Sequence, residues 1–221
     1  MNQTSVVEIN NVFLKSDRAT QIFKNLNFKL NSGRSAVIQG SAGSGKSSLV
    51  ELLTGIQKPE SGSVELFGES INNIGNVRLC RFRRKIGGVG GLFELIPNYT
   101  ASENIAFPLV LAGQKRKVRM ELVLKMLSEF SLIKQAATYP RRLTRVERTL
   151  VQFARASIAN QPLMIIDEPS AGLDSSTYER IHQFLVKSSF SGRSMIILTS
   201  EKSAEILPNT DYYQLKSGEL F

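Results

Sequence analysis

Residues 40–48 read Gly40-Ser41-Ala42-Gly43-Ser44-Gly45-Lys46-Ser47-Ser48 and follow directly on the apolar run Ala36-Val37-Ile38. This is the pattern G-x-x-x-x-G-K-[ST] in the setting that gives it physical meaning, a strand that enters a glycine-rich turn and leaves it as a helix. Such a turn aims several backbone N–H groups, with the positive end of the helix dipole, at one small volume. The group that satisfies them is a phosphate. Lys46 would reach the β- and γ-phosphates of a nucleotide, and the Ser47 hydroxyl would ligate Mg²⁺.

The second motif is Leu163-Met164-Ile165-Ile166-Asp167-Glu168-Pro169. Its four apolar residues suit a parallel strand buried on both faces. Two carboxylates then fall at the strand's C-terminal end, where ligands bind in open α/β sheets. Asp167 is expected to hold Mg²⁺ through water, and Glu168 to polarise a water for attack on the γ-phosphate. An apolar run ending in Asp-Glu says little alone; beside a phosphate loop it points to nucleotide chemistry.

Strand patterns occupy residues 6–12, 28–30, 36–39 and 63–67 and return at 163–166, 195–199 and 212–215. A helix must follow the loop over 46–53. From about 92 to 157 the chain reads as helical: Thr100-Ala101-Ser102-Glu103 and Thr144-Arg145-Val146-Glu147 both match the capping box, and 118–130 has apolar residues at helical spacing. A strand-rich core interrupted by a helical block and then resumed predicts an α/β fold with an inserted helical subdomain.

At 221 residues the chain can bury one good core. No apolar run approaches the ~18 residues of a membrane span, and Met1-Asn2-Gln3-Thr4 lacks signal-peptide character, so the chain is not expected to cross a membrane itself. Cys80 is the single cysteine, which excludes an internal disulfide and suits a small buried apolar role. The net charge of +9 fits nucleic acid, anionic lipid or a solvated basic face. Its clusters, Arg81, Arg83, Arg84, Lys85 and Lys115, Arg116, Lys117, Arg119, lie apart without interleaved aromatics. They read first as solvated surface and then as membrane-proximal charge; no nucleic-acid partner is expected.

The order of these segments resembles the nucleotide-binding subunit of an ABC transporter over essentially the whole chain. After the loop come Arg84-Lys85-Ile86-Gly87, Glu94-Leu95-Ile96-Pro97, Glu103-Asn104-Ile105-Ala106-Phe107-Pro108-Leu109, Ala154-Arg155-Ala156 and Ile166-Asp167-Glu168-Pro169. Ala171-Gly172-Leu173-Asp174 is similar to the family's D-loop. The 103–109 stretch and the minimal length resemble bacterial subunits of the lipoprotein-releasing, macrolide-export and cell-division type. The resemblance implies a P-loop NTPase (RecA-like) core at about 1–91 and 158–221, an antiparallel β subdomain, and a helical subdomain at about 92–157. It implies ATP and Mg²⁺ as cofactors, with an integral-membrane permease and a second nucleotide-binding subunit, identical or different, as partners. ATP would lie between one subunit's phosphate loop and the other's signature helix. The location implied is cytoplasmic, peripheral to the inner face of the cell membrane, with transport specificity left to the permease.

Departures from the family pattern accompany the matches. Where the family has Leu-Ser-Gly-Gly-Gln, this chain has Leu143-Thr144-Arg145-Val146-Glu147. Side chains at Arg145 and Val146 are expected to obstruct backbone approach to a phosphate across the dimer, while Thr144 keeps a hydroxyl and suits an N-cap. Read without gaps, Gly91 stands at the Q-loop glutamine, and Gly87, Gly88, Gly90 and Gly91 suggest an unusually flexible loop. Ser200 replaces the switch histidine; the one histidine, His182, reads as surface or half-buried. No aromatic stands near Lys15 or Ser16 to stack on adenine, and Phe13 is a poor substitute. Two readings follow: a working transporter ATPase, or an ATP-binding regulatory or structural half paired with an intact ATPase subunit.

Overall fold

The computed structural model describes residues 4–16, 20–169, 172–200 and 207–221. Among them the strands form two sheets. In the first, β1 (Ser5–Lys15), β2 (Gln21–Asn31), β4 (Ser61–Leu66) and β5 (Glu69–Ser70) pair antiparallel in the order β2-β1-β4-β5. In the second, β3 (Ser35–Gln39), β6 (Ile86–Val89), β7 (Leu163–Asp167), β8 (Ser194–Thr199) and β9 (Thr210–Lys216) run parallel in the order β9-β3-β8-β7-β6. The short β10 (Glu219–Leu220) adds antiparallel to β9 at the edge. α1 (Lys46–Leu53) follows β3, α2 (Asn76–Arg83) precedes β6, and α6 (Ser175–Phe190) precedes β8. Between β6 and β7 come α3 (Ala101–Leu111), α4 (Arg116–Glu129) and α5 (Arg145–Ser157). The mixed α/β fold, its antiparallel sheet and the helical insertion therefore match the sequence reading.

Alternation along the parallel strands divides the core into two layers, because successive side chains point to opposite faces of a sheet. Leu163 and Ile165 of β7, Ile196 and Leu198 of β8, and Ala36 and Ile38 of β3 join Leu49, Leu53, Val7 and Phe23 on the side of α1 and the antiparallel sheet. Met164, Ile166, Met195, Ile197 and Val37 join Ile105, Val151, Phe153 and Ile181 on the side of α3, α5 and α6. A fully buried Leu or Ile contributes roughly 1.5–3 kcal/mol. The strand ends that carry the functional groups thus stand on a platform packed from both sides.

Both predicted capping boxes form. Thr100 Oγ1 accepts from Glu103 N and Glu103 Oε2 from Thr100 N at the start of α3; Thr144 and Glu147 repeat the arrangement at α5.

Three expectations need correction. Gly87 and Gly88 belong to buried β6, not to a flexible loop. A β-carbon on Gly87 would lie 2.1 Å from the Ala156 carbonyl oxygen, and one on Gly88 2.0 Å from the Phe93 ring. They are glycines because α5 and Phe93 pack against the strand. Cys80 is exposed, since α2 turns Leu79 and Phe82 inward instead. The helical block begins at Ala101; residues 91–100 have no regular structure.

Candidate nucleotide-binding site

At the carboxyl end of β3 the chain turns back sharply. A β-carbon on Gly40 would lie 2.3 Å from Ser44 Oγ, and Ser44 N donates to Ser41 O at 3.1 Å. Gly43 and Gly45 have φ of 78° and 107°, the left-handed region that only glycine enters freely. Gly45 is the N-cap of α1, whose first turn carries no acidic residue. Its dipole end therefore stands open to the cleft. Lys46 is 9% exposed; its Nζ donates to Gly40 O at 2.5 Å and Ser41 O at 3.3 Å. Ser41, Ala42 and Ser47 face solvent and Ser48 is half-buried.

The loop and the carboxylates of Asp167, which ends β7, and Glu168, which follows it, line one cleft of about 800 Å³, although β8 separates β3 from β7. Glu168 bridges that distance through its backbone. Its φ of 53° is uncommon for a residue with a side chain, and such positions concentrate at functional sites. Glu168 Oε1 lies 3.4 Å from Lys46 Nζ, and Oε2 accepts from both the N–H and the hydroxyl of Ser200 at 3.1 Å. Ser200 thus grips the carboxylate. Burial pushes the Asp167 carboxyl above the usual range, the Glu168 charge adds to this, and Lys46 opposes it.

The fit to a nucleotide rests on what the cleft leaves unused. Ser44 Oγ is buried with no hydrogen-bond partner. Among the described residues no group of three or more His, Cys, Asp or Glu could hold a metal. Asp167 with Ser47 suits Mg²⁺, which takes one or two carboxylates and completes its shell with phosphates and water.

Gly90 and Gly91 press on Asp167. β-Carbons there would lie 2.1 Å from Asp167 O and 2.3 Å from its Oδ2. Two α5 side chains hold this loop in place. Gln152 accepts from Gly90 N and donates to Phe93 O, both at 3.2 Å, and Arg155 donates to the carbonyls of Phe93 and Glu94. Burial pushes the Arg155 guanidinium down to about 10. Sequence reasoning missed this clamp because a polar residue on a helix does not announce its target.

The remaining predicted residues lie outside the cleft lining. Thr144 and Glu147 spend their polar groups on the capping box, and Glu147 also accepts from Gln135 at 2.8 Å. Val146 packs on its own core. Exposed Arg145 lies over Gly172, where a β-carbon would come 3.0 Å from Nη1. Asp174 caps α6, accepting from Thr177 N at 3.0 Å; hydrogen bonds from Ser176 and Thr177 hold it well below the usual carboxylate range. Ala171 of the D-loop-like stretch lies outside the described residues. His182 is half-buried.

The ABC transporter family profile matches residues 23–171. The chain belongs to the ABC transporter family. It is 30% identical to the lipoprotein-releasing system ATP-binding protein LolD of Geobacter metallireducens, over 93% of this chain and 92% of that protein. It is 32% identical to the methionine import ATP-binding protein MetN of Latilactobacillus sakei, over 89% of this chain but 58% of that longer protein. Among solved structures, the dimeric bacterial ABC transporter cassette MJ0796 superposes with a TM-score of 0.89 at 29% identity, covering 97% and 96% of the two chains. The same cassette in a post-hydrolysis state with ADP and Pi gives 0.87. The LolD and MJ0796 matches fit the lipoprotein-releasing and cell-division subgroup of ABC transporters. No helix among the described residues is long and apolar enough to cross a membrane.

Proposed function

We propose that this chain is the ATP-binding subunit of a membrane transporter, a single domain with core 1–91 and 158–221 and a helical subdomain at 92–157. It binds Mg-ATP in the loop at Gly40–Ser48 and works on the cytoplasmic face, against a separate permease and a second nucleotide-binding subunit. The observation that carries this reading is the convergence of Lys46 and Glu168 on one cleft with the phosphate loop, with Ser200 bonded to the Glu168 carboxylate. Lys46 leaves the loop carbonyls for the β- and γ-phosphates, exchanging neutral partners for charged ones. Releasing Lys46 frees Glu168 to accept a proton from water, and Ser200 keeps that carboxylate aimed. Ser47 and Asp167 would hold Mg²⁺, which supplies charge neutralisation on the phosphates. The analogy with ADP- and Pi-bound MJ0796 supports nucleotide turnover.

The alternative is an ATP-binding half with little turnover of its own, paired with an intact subunit. Gly91 and the closed capping box at Thr144–Glu147 favour slow hydrolysis by the isolated chain. Calorimetry and phosphate release on the wild type, Lys46→Ala and Glu168→Gln separate the cases. We expect Lys46→Ala to lose most Mg-ATP binding, and Glu168→Gln to keep binding while any turnover falls roughly 10²–10⁴-fold. Equal affinity in the wild type and Lys46→Ala would reject the site. Turnover in the wild type at the level of a partnered transporter would reject the degenerate reading.

A further inference from the structure

A second cavity, of about 460 Å³, lies between α2, β6 and the helical block and shares no lining residue with the phosphate cleft. Its volume falls within the roughly 300–1,000 Å³ of small-ligand sites. Phe93, Ile96, Phe107, Pro108 and Leu111 give it an apolar wall. Gln161 also lines it. That residue is 5% exposed, its Oε1 is buried without a hydrogen-bond partner, and its amide nitrogen makes no hydrogen bond among the described residues. Buried polar groups are rarely left so, because each unmade bond costs free energy. The cavity is where a partner for this amide can stand. Three guanidinium groups line the same space, Arg83, Arg84 and Arg155, against one carboxylate, Glu94. Arg83 and Arg155 donate to backbone carbonyls. The Arg84 guanidinium is exposed and has neither an ion pair nor a hydrogen bond among the described residues.

These features select a ligand part by part. The wall takes an aromatic or aliphatic body. An amide carries both a donor and an acceptor, so Gln161 can hold a polar group of either kind. The surplus of guanidinium over carboxylate takes an anion, and Arg84 is the one whose donors are unspent. We propose that this cavity is a second ligand site, for a small amphipathic anion whose polar group is held by Gln161 and whose charge is met by Arg84. Nucleotide binding is not required for it, because the two cavities have no wall in common. Cys80 is exposed and lines the same cavity; as the single cysteine of the chain, it reports when the cavity is filled.

The test uses the full chain and two dyes, anilinonaphthalene sulfonate and its uncharged counterpart phenylnaphthylamine, which has the same rings and N–H but no sulfonate. Fluorescence titration reads binding, and the rate at which iodoacetamide alkylates Cys80 reads occupancy of the cavity. The sulfonate dye should bind at a single site, more tightly than the uncharged one, and saturating Mg-ATP should leave its affinity unchanged. At about ten times its Kd it should slow Cys80 alkylation by up to roughly tenfold. Arg84→Ala should weaken the sulfonate dye by up to roughly fivefold, as for an exposed ion pair, and leave the uncharged dye within about twofold. Gln161→Met keeps the side chain's bulk and removes the amide, and should weaken both dyes roughly two- to tenfold. An alkylation rate unchanged by the bound dye, or no binding of either dye, would overturn the site with no variant needed. Displacement of the dye by Mg-ATP would assign it to the phosphate cleft and overturn the site equally. Unchanged sulfonate-dye affinity in Arg84→Ala, or unchanged affinity for both dyes in Gln161→Met, would overturn the role given to that residue.

Discussion

Gly91→Ala tests whether the loop beside Asp167 has room for any side chain. Two costs are expected. The residue has a φ of 44°, and a left-handed backbone costs an alanine about 1–2 kcal/mol. The added carbon would also stand 2.3 Å from Asp167 Oδ2, against the 3.0 Å below which real contacts essentially never fall. The carboxylate must therefore retreat by about 0.7 Å, on a half-buried strand end with little space, in a close-packed surrounding that resists such shifts. Gly113→Ala separates the two terms, because Gly113 has a φ of 70° and nothing within 4 Å of its built β-carbon. For a chain of this size each kcal/mol moves Tm by roughly 2–4 °C, so Gly113→Ala should melt about 2–8 °C low. Gly91→Ala should melt lower still and bind Mg-ATP more weakly, while Gly113→Ala binds as wild type. Differential scanning calorimetry and nucleotide titration read both. If the two variants melted together and bound Mg-ATP equally, the contact with Asp167 would be irrelevant. Gly91→Gln would meet the same obstruction.

Thr144→Ala should cost about 1 kcal/mol, or roughly 2–4 °C in Tm, through the lost cap on α5, and Thr144→Ser should recover it; an unchanged melting curve for the alanine variant would refute the cap. Asp174 has a folded pKa held below its ordinary 3.8, so the stability it adds is fully present above that value and is lost as pH falls below it. Asp174→Asn should flatten acid unfolding in that range, and identical acid profiles would contradict the assignment. Ser200→Ala keeps the backbone N–H bond to Glu168 and loses only the hydroxyl bond, so turnover should fall by no more than about tenfold with nucleotide affinity unchanged. A loss as deep as that of Glu168→Gln would show that Ser200 does more than position the carboxylate.

The legible parts of the sequence were those where chemistry and local geometry coincide. The phosphate loop needs a strand before it and a helix after it, so one motif predicts three elements. The Thr-x-x-Glu pairs at 100 and 144 located two helix starts because their hydrogen bonds close within four residues. Gly87 and Gly88 misled for the opposite reason: what excludes a side chain there is Ala156 and Phe93, distant in sequence or hidden until the chain folds. The left-handed Glu168 carried no signal either, since its N–H is held by Leu198 O and its carboxylate by Lys46 and Ser200, all distant in sequence. α2 went unread because its N-cap is Gly75, with no side-chain hydrogen bond.

The clamp made by Gln152 and Arg155 shifts where the constraint on this loop lies in the sequence. The loop at Gly90–Glu94 is shaped by hydrogen bonds to its backbone, supplied by a helix some sixty positions away. Those bonds reach backbone atoms, so side chains of the loop that touch nothing else can be replaced while α5 keeps its grip, whereas Gly90 and Gly91 stay fixed by Asp167. Sequence divergence at the exposed Leu92 and Glu94 can then outpace structural divergence, because the constraint sits on another segment. The positions whose variation should be restricted in relatives sharing Gly91 are 152 and 155, and a compensated chain would show the two sites changing together.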